Sequence, residues 1–295
     1  MAALLAAFGA AITPLHAEDA GRCANLGALG VARTVEIDTT GGPGFGFEHY
    51  KRYDFLLQKE VVLTFDDGPW PTTPKVLAAL AAECTKATFF PIGEHALWHP
   101  EILKQVAAAG HTIGSHTWSH ANLKRLKPDK GIEEIEKGFS AVKLALGTSP
   151  SPFFRYPFLL DSKETMDHLA SRNIAIFSCD LDSFDFKLRK PEDVVKSVMT
   201  KLERKGKGII LMHDSHEWTA NAVPEILSQL KSKGYKIVHM TAKGKAESVA
   251  QWDDWAKTQL KGGRAGSDVP VSSVVRTIEE RSPVNPATTE APQKR

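Results

Sequence analysis

Residues 61–69 read VVLTFDDGP. Four of the first five are β-branched or aromatic, the composition of a buried strand. The run then stops on two adjacent carboxylates, Asp66 and Asp67, and Gly68 and Pro69 turn the chain at once. Neighbouring carboxylates repel each other and lose hydration beside an apolar core. Asp-Gly-Pro is also an ordinary turn signal. The stretch therefore fixes a strand end and leaves the purpose of its carboxylates open.

Working outward, apolar runs recur at 61–65, 87–91, 111–114, 153–156, 174–179, 208–213 and 235–240. Segments of helical period separate them. Thr73-Pro74 and Pro100 place proline at the first helical position, and Gly110, Gly206 and Gly234 supply stops. Ile132, Ile135, Phe139, Val142 and Leu146 form an apolar stripe with steps of three and four. Seven strands alternating with helices imply an α/β fold with parallel strands, either an open doubly wound sheet or a closed barrel one strand short of eight.

The rest of the chain frames this region. Its 295 residues are 42% hydrophobic and 24% charged with a net charge of +2, an ordinary globular composition. No basic stripe with interleaved aromatics points to nucleic acid, and no apolar run reaches membrane-spanning length. Residues 1–17 read as the apolar region and cleavage site of a secretory signal peptide lacking its positive leader, as a truncated start would. That implies a periplasmic or secreted protein. Residues 18–57 form an N-terminal arm whose TTGGPGFGF stretch is too glycine-rich for regular structure. Residues 58–243 are the catalytic candidate, 244–261 a helix carrying Trp252 and Trp255, and 262–295 a tail expected to be disordered. Cys23, Cys84 and Cys179 lack metal-site spacing; export would allow one disulfide and leave one thiol, in a pairing the sequence leaves open, and three reduced, buried thiols fit the sequence equally.

The carboxyl ends of the strands form the ligand face of such a fold. Asp66 and Asp67 end the first run, His116 and His120 follow the third, and Arg155 ends the fourth. Asp182 and Asp185 follow the fifth, and His213 with Asp214 ends the sixth. Each has a structural alternative: a solvated histidine, a surface cation, a helix cap. Jointly they are the groups hydrolysis requires. On a first helical turn, a His-x-x-x-His pair projects both imidazoles to one side. With one carboxylate from another loop it leaves an open coordination position, the mark of a catalytic metal site.

These residues resemble the motif set of the NodB-type polysaccharide deacetylases, carbohydrate esterase family 4. The five motifs stand in family order at 64–69, 116–120, 155–158, 182–186 and 211–213. The resemblance implies a distorted seven-stranded (β/α) barrel, the NodB homology domain. It implies a divalent metal on Asp67, His116 and His120, with zinc first and cobalt or nickel as alternatives. Asp66 would be the general base, kept ionised by the metal and Arg155. His213, held protonated by Asp185, would be the acid. Tyr156, Phe158 and Phe186 would line the sugar groove, Leu211 the acetyl pocket, and the Phe158 N–H the oxyanion site. Phe158, Leu159 and Phe186 depart from the family's usual Tyr, Gly and Trp. The implied reaction is de-N-acetylation of an N-acetylhexosamine polysaccharide, peptidoglycan or chitin-like, with release of acetate. The alternatives are a small-amide hydrolase of the same fold and a non-catalytic glycan-binding protein. Oligomeric state is not legible.

Overall fold

A computed structural model describes residues 25–262. The run around Val61 is a strand buried along its whole length. In chain order the β elements are β1 (Arg33–Ile37), β2 (Gly44–Phe45), β3 (Glu60–Asp66), β4 (Thr88–Phe90), β5 (Thr112–Ile113), β6 (Phe153–Phe154), β7 (Ala175–Phe177), β8 (Leu181–Asp182), β9 (Gly208–His213) and β10 (Lys236–Ala242). The helices are α1 (Thr73–Ala82), α2 (Gly93–Trp98), α3 (Pro100–Ala108), α4 (Pro128–Leu146), α5 (Lys163–Ser171), α6 (Pro191–Lys205), α7 (Glu217–Ser232) and α8 (Ala250–Gly262). Helix α4 contains the predicted apolar stripe and ends on Gly147, whose φ of 77° closes it as a left-handed cap.

Every pairing among the described strands is parallel, as crossover helices require. β3 is the hub. β9 runs beside it from Val61↔Gly208 to Asp66↔His213, while β4 and β10 pair with its other parts. With β1, β5 and β8 these make a seven-stranded sheet, and β2, β7 and β6 make a three-stranded one. A bridge from Ser115 to Phe154 joins β5 to β6. The segment running from β7 into β8 returns the ring to β9, where Asp180 N donates to Ile209 O. The closed circuit is the expected distorted barrel.

Alternation along β3 sorts its side chains. Val61, Leu63 and Phe65 join the apolar cluster that includes Val76 and Leu80 of α1, Val198 and Leu202 of α6, and Ile226 and Leu230 of α7. Val62 packs with a second cluster that includes Phe90, Phe153 and Phe177. On the same side as Val62, Thr64 and Asp66 meet Arg155. All strands being parallel, the ends of β3, β6, β8 and β9 reach one face.

Three strands escape the hydropathy pattern. β1 pairs with β10 but carries only Val35 and Ile37 as apolar residues. β8 is two residues long. β2 lies inside the glycine-rich stretch expected to be irregular, and pairs with β7. Gly46 comes next at φ 98°, where an added Cβ would meet Ser178 C and Cys179 N at 2.7 Å, so this close approach requires glycine. Cys84 is disulfide-bonded, whereas Cys179 is a free thiol that burial pushes up to about 12. No helix among the described residues is long and apolar enough to cross a membrane. The chain divides into two compact units between Lys257 and Thr258, and both sheets belong to the first. The expected signal peptide, Cys23 and the tail beyond Gly262 lie outside the described residues.

Candidate metal centre and cleft

Asp66 ends β3 facing inward, and a left-handed backbone at Asp67, φ 72°, lets both carboxylates border one cleft. Asp66 Oδ2 comes only to 4.0 Å from His116 Nε2, whereas Asp67 stands closer. Its Oδ1 lies 3.6 Å from His116 Nε2 and 3.5 Å from His120 Nε2. One ligand atom from each of the three residues falls within 4.8 Å of the others. Asp67 Oδ1 is buried with no hydrogen-bond partner. A buried carboxylate oxygen without a donor is expensive, and a cation is what relieves it.

The imidazoles are in the ligand form. His116 Nδ1 donates to Arg155 O at 2.7 Å, which leaves Nε2 with its lone pair towards Asp67. Burial pushes His116 down to about 3, aided by His120, and burial also lowers His120. Neutral histidines do not hold Asp67 ionised. Burial raises its carboxyl, and the charge at His213 heads the opposing causes that bring it below the usual range. The loop bearing the pair is not a helical turn, as the spacing suggested. Thr117 and His120 are left-handed, at φ 68° and 59°, and His120 N bonds Thr117 Oγ1. Two reversals do what a helix would have done.

Arg155 is fully buried and spends its donors on several elements at once. Its guanidinium bonds Asp66 Oδ1 at 2.8 Å, Thr64 Oγ1 at 2.7 Å, Phe177 O at 3.1 Å and Ser178 O at 2.8 Å. Even so, burial dominates at Asp66 and raises its carboxyl to about 6, with Arg155 and His213 opposing and Asp67 adding to the rise. Arg155 and His213 thus leave Asp66 ionised at neutral pH, though above the usual carboxylate range, where the sequence reading gave that task to Arg155 together with a metal.

His213 is the Cα partner of Asp66 on β9. Its Nδ1 lies 2.6 Å from Asp185 Oδ1, and its backbone N donates to Asp185 Oδ2. Thr219 Oγ1 and Trp218 Nε1 also bond Asp185, through Oδ2 and the backbone carbonyl. Burial pulls the imidazole down, but Asp185, then Asp67 and Asp66, lift it to about 10. The same pairing holds Asp185 below its usual range against burial. His213 is thus an imidazolium at neutral pH with Nε2 left to give a proton.

These groups open into a cleft of about 400 Å³. Leu211 lines it, as do Phe158, which is 61% exposed, and Phe186, which is 41% exposed. The Phe158 ring stands edge-on to His120 at 4.7 Å, and Phe186 likewise to His213 at 5.7 Å. Tyr156 also borders the cleft, but it is 2% exposed and its hydroxyl donates to Thr165 Oγ1. Its hydroxyl is a support and its ring edge a wall.

Sequence reasoning missed Phe184, exposed on the same wall, whose only signal was an extra aromatic two residues before Phe186. It gave Asp214 no role either. That carboxyl is fully buried, raised to about 7 by burial, and accepts from Thr73 Oγ1. A Cβ at Gly68 would collide with it, so glycine lets the Asp67 turn lie against Asp214. Six of the nine non-glycine residues at positive φ among the described residues are Asp67, Thr117, His120, Phe158, Leu159 and Phe184. Each costs on the order of 1–3 kcal/mol, and the loops of the cleft hold most of that strain.

Residues 56–176 match the family model for polysaccharide deacetylases. The chain is similar to a peptidoglycan-N-acetylglucosamine deacetylase of Listeria monocytogenes, 34% identical over 61% of this chain and 38% of that one. A peptidoglycan-N-acetylglucosamine deacetylase of Bacillus cereus is 31% identical over 63% of this chain and 71% of its own. Among solved structures, a peptidoglycan deacetylase of Bdellovibrio bacteriovorus superposes with a TM-score of 0.66 at 34% identity, covering 73% of this chain and 61% of that one. The chain thus spans well under half the length of its listerial relative.

Proposed function

The chain belongs to the polysaccharide deacetylase family, and from that premise we propose that it removes N-acetyl groups from an N-acetylhexosamine polysaccharide, peptidoglycan or chitin-like. One observation carries the proposal: the orphaned Asp67 Oδ1 faces two neutral histidine nitrogens at the mouth of a cleft. Two imidazoles and a carboxylate are a catalytic zinc donor set, with cobalt or nickel as substitutes. A bound dication would supply Lewis acidity, polarising a carbonyl and acidifying water.

The chain's own residues account for the proton traffic. Asp66 sits behind the ligand set, its Oδ2 4.0 Å from His116 Nε2, and takes the proton of the attacking water. His213 gives a proton to the amide nitrogen as the C–N bond breaks. Water's oxygen leaves in acetate and the sugar keeps a free amine. Asp185 positions and charges His213, and Arg155 anchors Asp66. Phe158, Phe186 and Leu211 hold the sugar and its acetyl group, and the Phe158 N–H faces the oxyanion. The Listeria, Bacillus and Bdellovibrio relatives are peptidoglycan deacetylases, which supports a glycan over a small amide. The disulfide at Cys84 supports a periplasmic or secreted location. Residues 58–243 would form the catalytic domain.

Acetate release tests this reading. Peptidoglycan strands, chitin oligomers and acetylxylan are offered to chelated protein and again after zinc is restored. Zinc-dependent release from either N-acetylated polymer is expected. Silence on all three with zinc bound would overturn the reading and leave a small-amide hydrolase or a glycan-binding protein.

A further inference from the structure

The wall of the cleft carrying Phe184 and Phe186 is also a platform of cations. Lys187 Nζ lies 4.8 Å from the Phe184 ring centroid and 5.3 Å from that of Phe186. Lys201 Nζ is 4.0 Å from the Phe184 centroid, fixed by bonds to Asp182 O and Ser197 Oγ. Arg189 lies 4.6 Å over the Trp218 ring, with one amino group bonded to Phe186 O and Leu188 O. None of these three cations is in an ion pair among the described residues. Asp185, on the same loop, is committed to His213. Asp182 lines the cleft, and its charge, followed by that of Asp185, acts on Lys201, leaving Lys187 and Arg189 as exposed cations without an ion-pair partner among the described residues.

Stacking on rings restrains these side chains, so less entropy is lost when an anion docks. An ammonium and a guanidinium beside an aromatic wall suit a sugar that stacks and carries a carboxylate. Arginine can take that group with two parallel hydrogen bonds. We propose that the Phe184–Arg189 wall selects acidic N-acetylhexosamine polymers, reading a carboxylate on or attached to a sugar bound in the cleft, through Lys187 and Arg189. This rests on the deacetylase reading and narrows it: neutral chitin-type chains would be the poorer substrates. The carboxylate has two sources in a bacterial wall polymer, a lactyl ether on the sugar or the peptide attached to it.

The test compares three oligosaccharides of equal length on zinc-loaded protein. These are a neutral N-acetylglucosamine chain, a peptidoglycan strand stripped of peptide, and the same strand with its peptides. The readouts are kcat/KM for acetate release and, independently of turnover, Kd for each oligosaccharide with metal-free protein. Native protein should favour a carboxylated strand by about tenfold or more, and Lys187→Gln with Arg189→Gln should bring that ratio close to one, chiefly through KM. Preference for the stripped strand assigns the lactyl group; preference only for the peptide-bearing strand assigns the peptide carboxylates. An unchanged ratio in the double variant, or no preference in native protein, overturns the proposal. If no acetate is released at all, the deacetylase reading fails, while the Kd ratios still decide the carboxylate preference.

Discussion

Asp66 and His213 are Cα partners on the last rung of the β3–β9 ladder. One rung therefore carries both proposed proton-transfer groups, and the ladder's hydrogen bonds fix their spacing. Their environments push the two apart in role. Burial raises Asp66 to about 6, a base that is ionised at neutral pH, while Asp185 lifts His213 to about 10, an acid that is charged there. Pairs set apart in this way are the usual signature of an acid–base couple.

Replacing Asp66 by Asn should leave the metal in place and remove the base. A loss of about 10²–10⁴-fold in kcat is expected for general-base work. Metal analysis of the purified variant checks the division of labour: zinc content falling with activity would mean that Asp66 is a ligand.

Asp67→Asn should weaken the protein in both of its forms, and more with zinc than without. Native protein should melt at higher temperature with zinc than without, since a ligand that binds only the folded state stabilises it. The variant should lose that response. Without metal it should still melt somewhat below native protein at neutral pH, because the fold holds the Asp67 carboxyl below its usual range and so gains from its charge there. Melting curves with zinc and with chelator read both losses, and a zinc response of native size in the variant would take Asp67 out of the ligand set.

Much of this site was legible because its chemistry is written in contiguous motifs. Thr64 through Pro69 set a strand, its end and two carboxylates together, and the structure keeps them where strand logic puts them. Two kinds of information were not local. The His116–His120 spacing is compatible with a helical turn, and only the structure shows that left-handed residues bring the imidazoles together. The sign of the Asp66 shift depends on burial by β4, β9 and Arg155, which one sequence does not display. β1 was hidden because it adds to β10 at the border of the sheet with a weakly apolar sequence.

Arg155→Met tests the buried clamp. It strands Asp66 and the Phe177 and Ser178 carbonyls without their donor. Breaking one side of a buried ion pair costs about 3–5 kcal/mol, so the denaturation midpoint should fall sharply. Adding Asp66→Leu should recover part of that loss, as it removes the unpaired charge. No recovery in the double variant would show that the carbonyl bonds, and not Asp66, are what Arg155 stabilises.

Alkaline pH should expose the His213–Asp185 pair. In the fold without metal, His213 holds its proton up to about 10, against about 6.5 for a free histidine. A raised histidine stabilises the fold fully below about 6.5, and that contribution is lost as pH climbs through about 10. A bound dication repels the imidazolium and lowers the upper value, so the alkaline limb of kcat/KM should fall between about 6.5 and 10. Asp185→Asn removes the charge that does most to lift His213 and should move the limb down towards 6.5. His213→Ala should suppress kcat and erase the limb from whatever activity remains. Rate profiles from pH 5 to about 10.5 for the three proteins decide it, since the limb is a macroscopic value that mutation alone can assign. A limb that stays in place in both variants would mean that the leaving amine takes its proton from another donor.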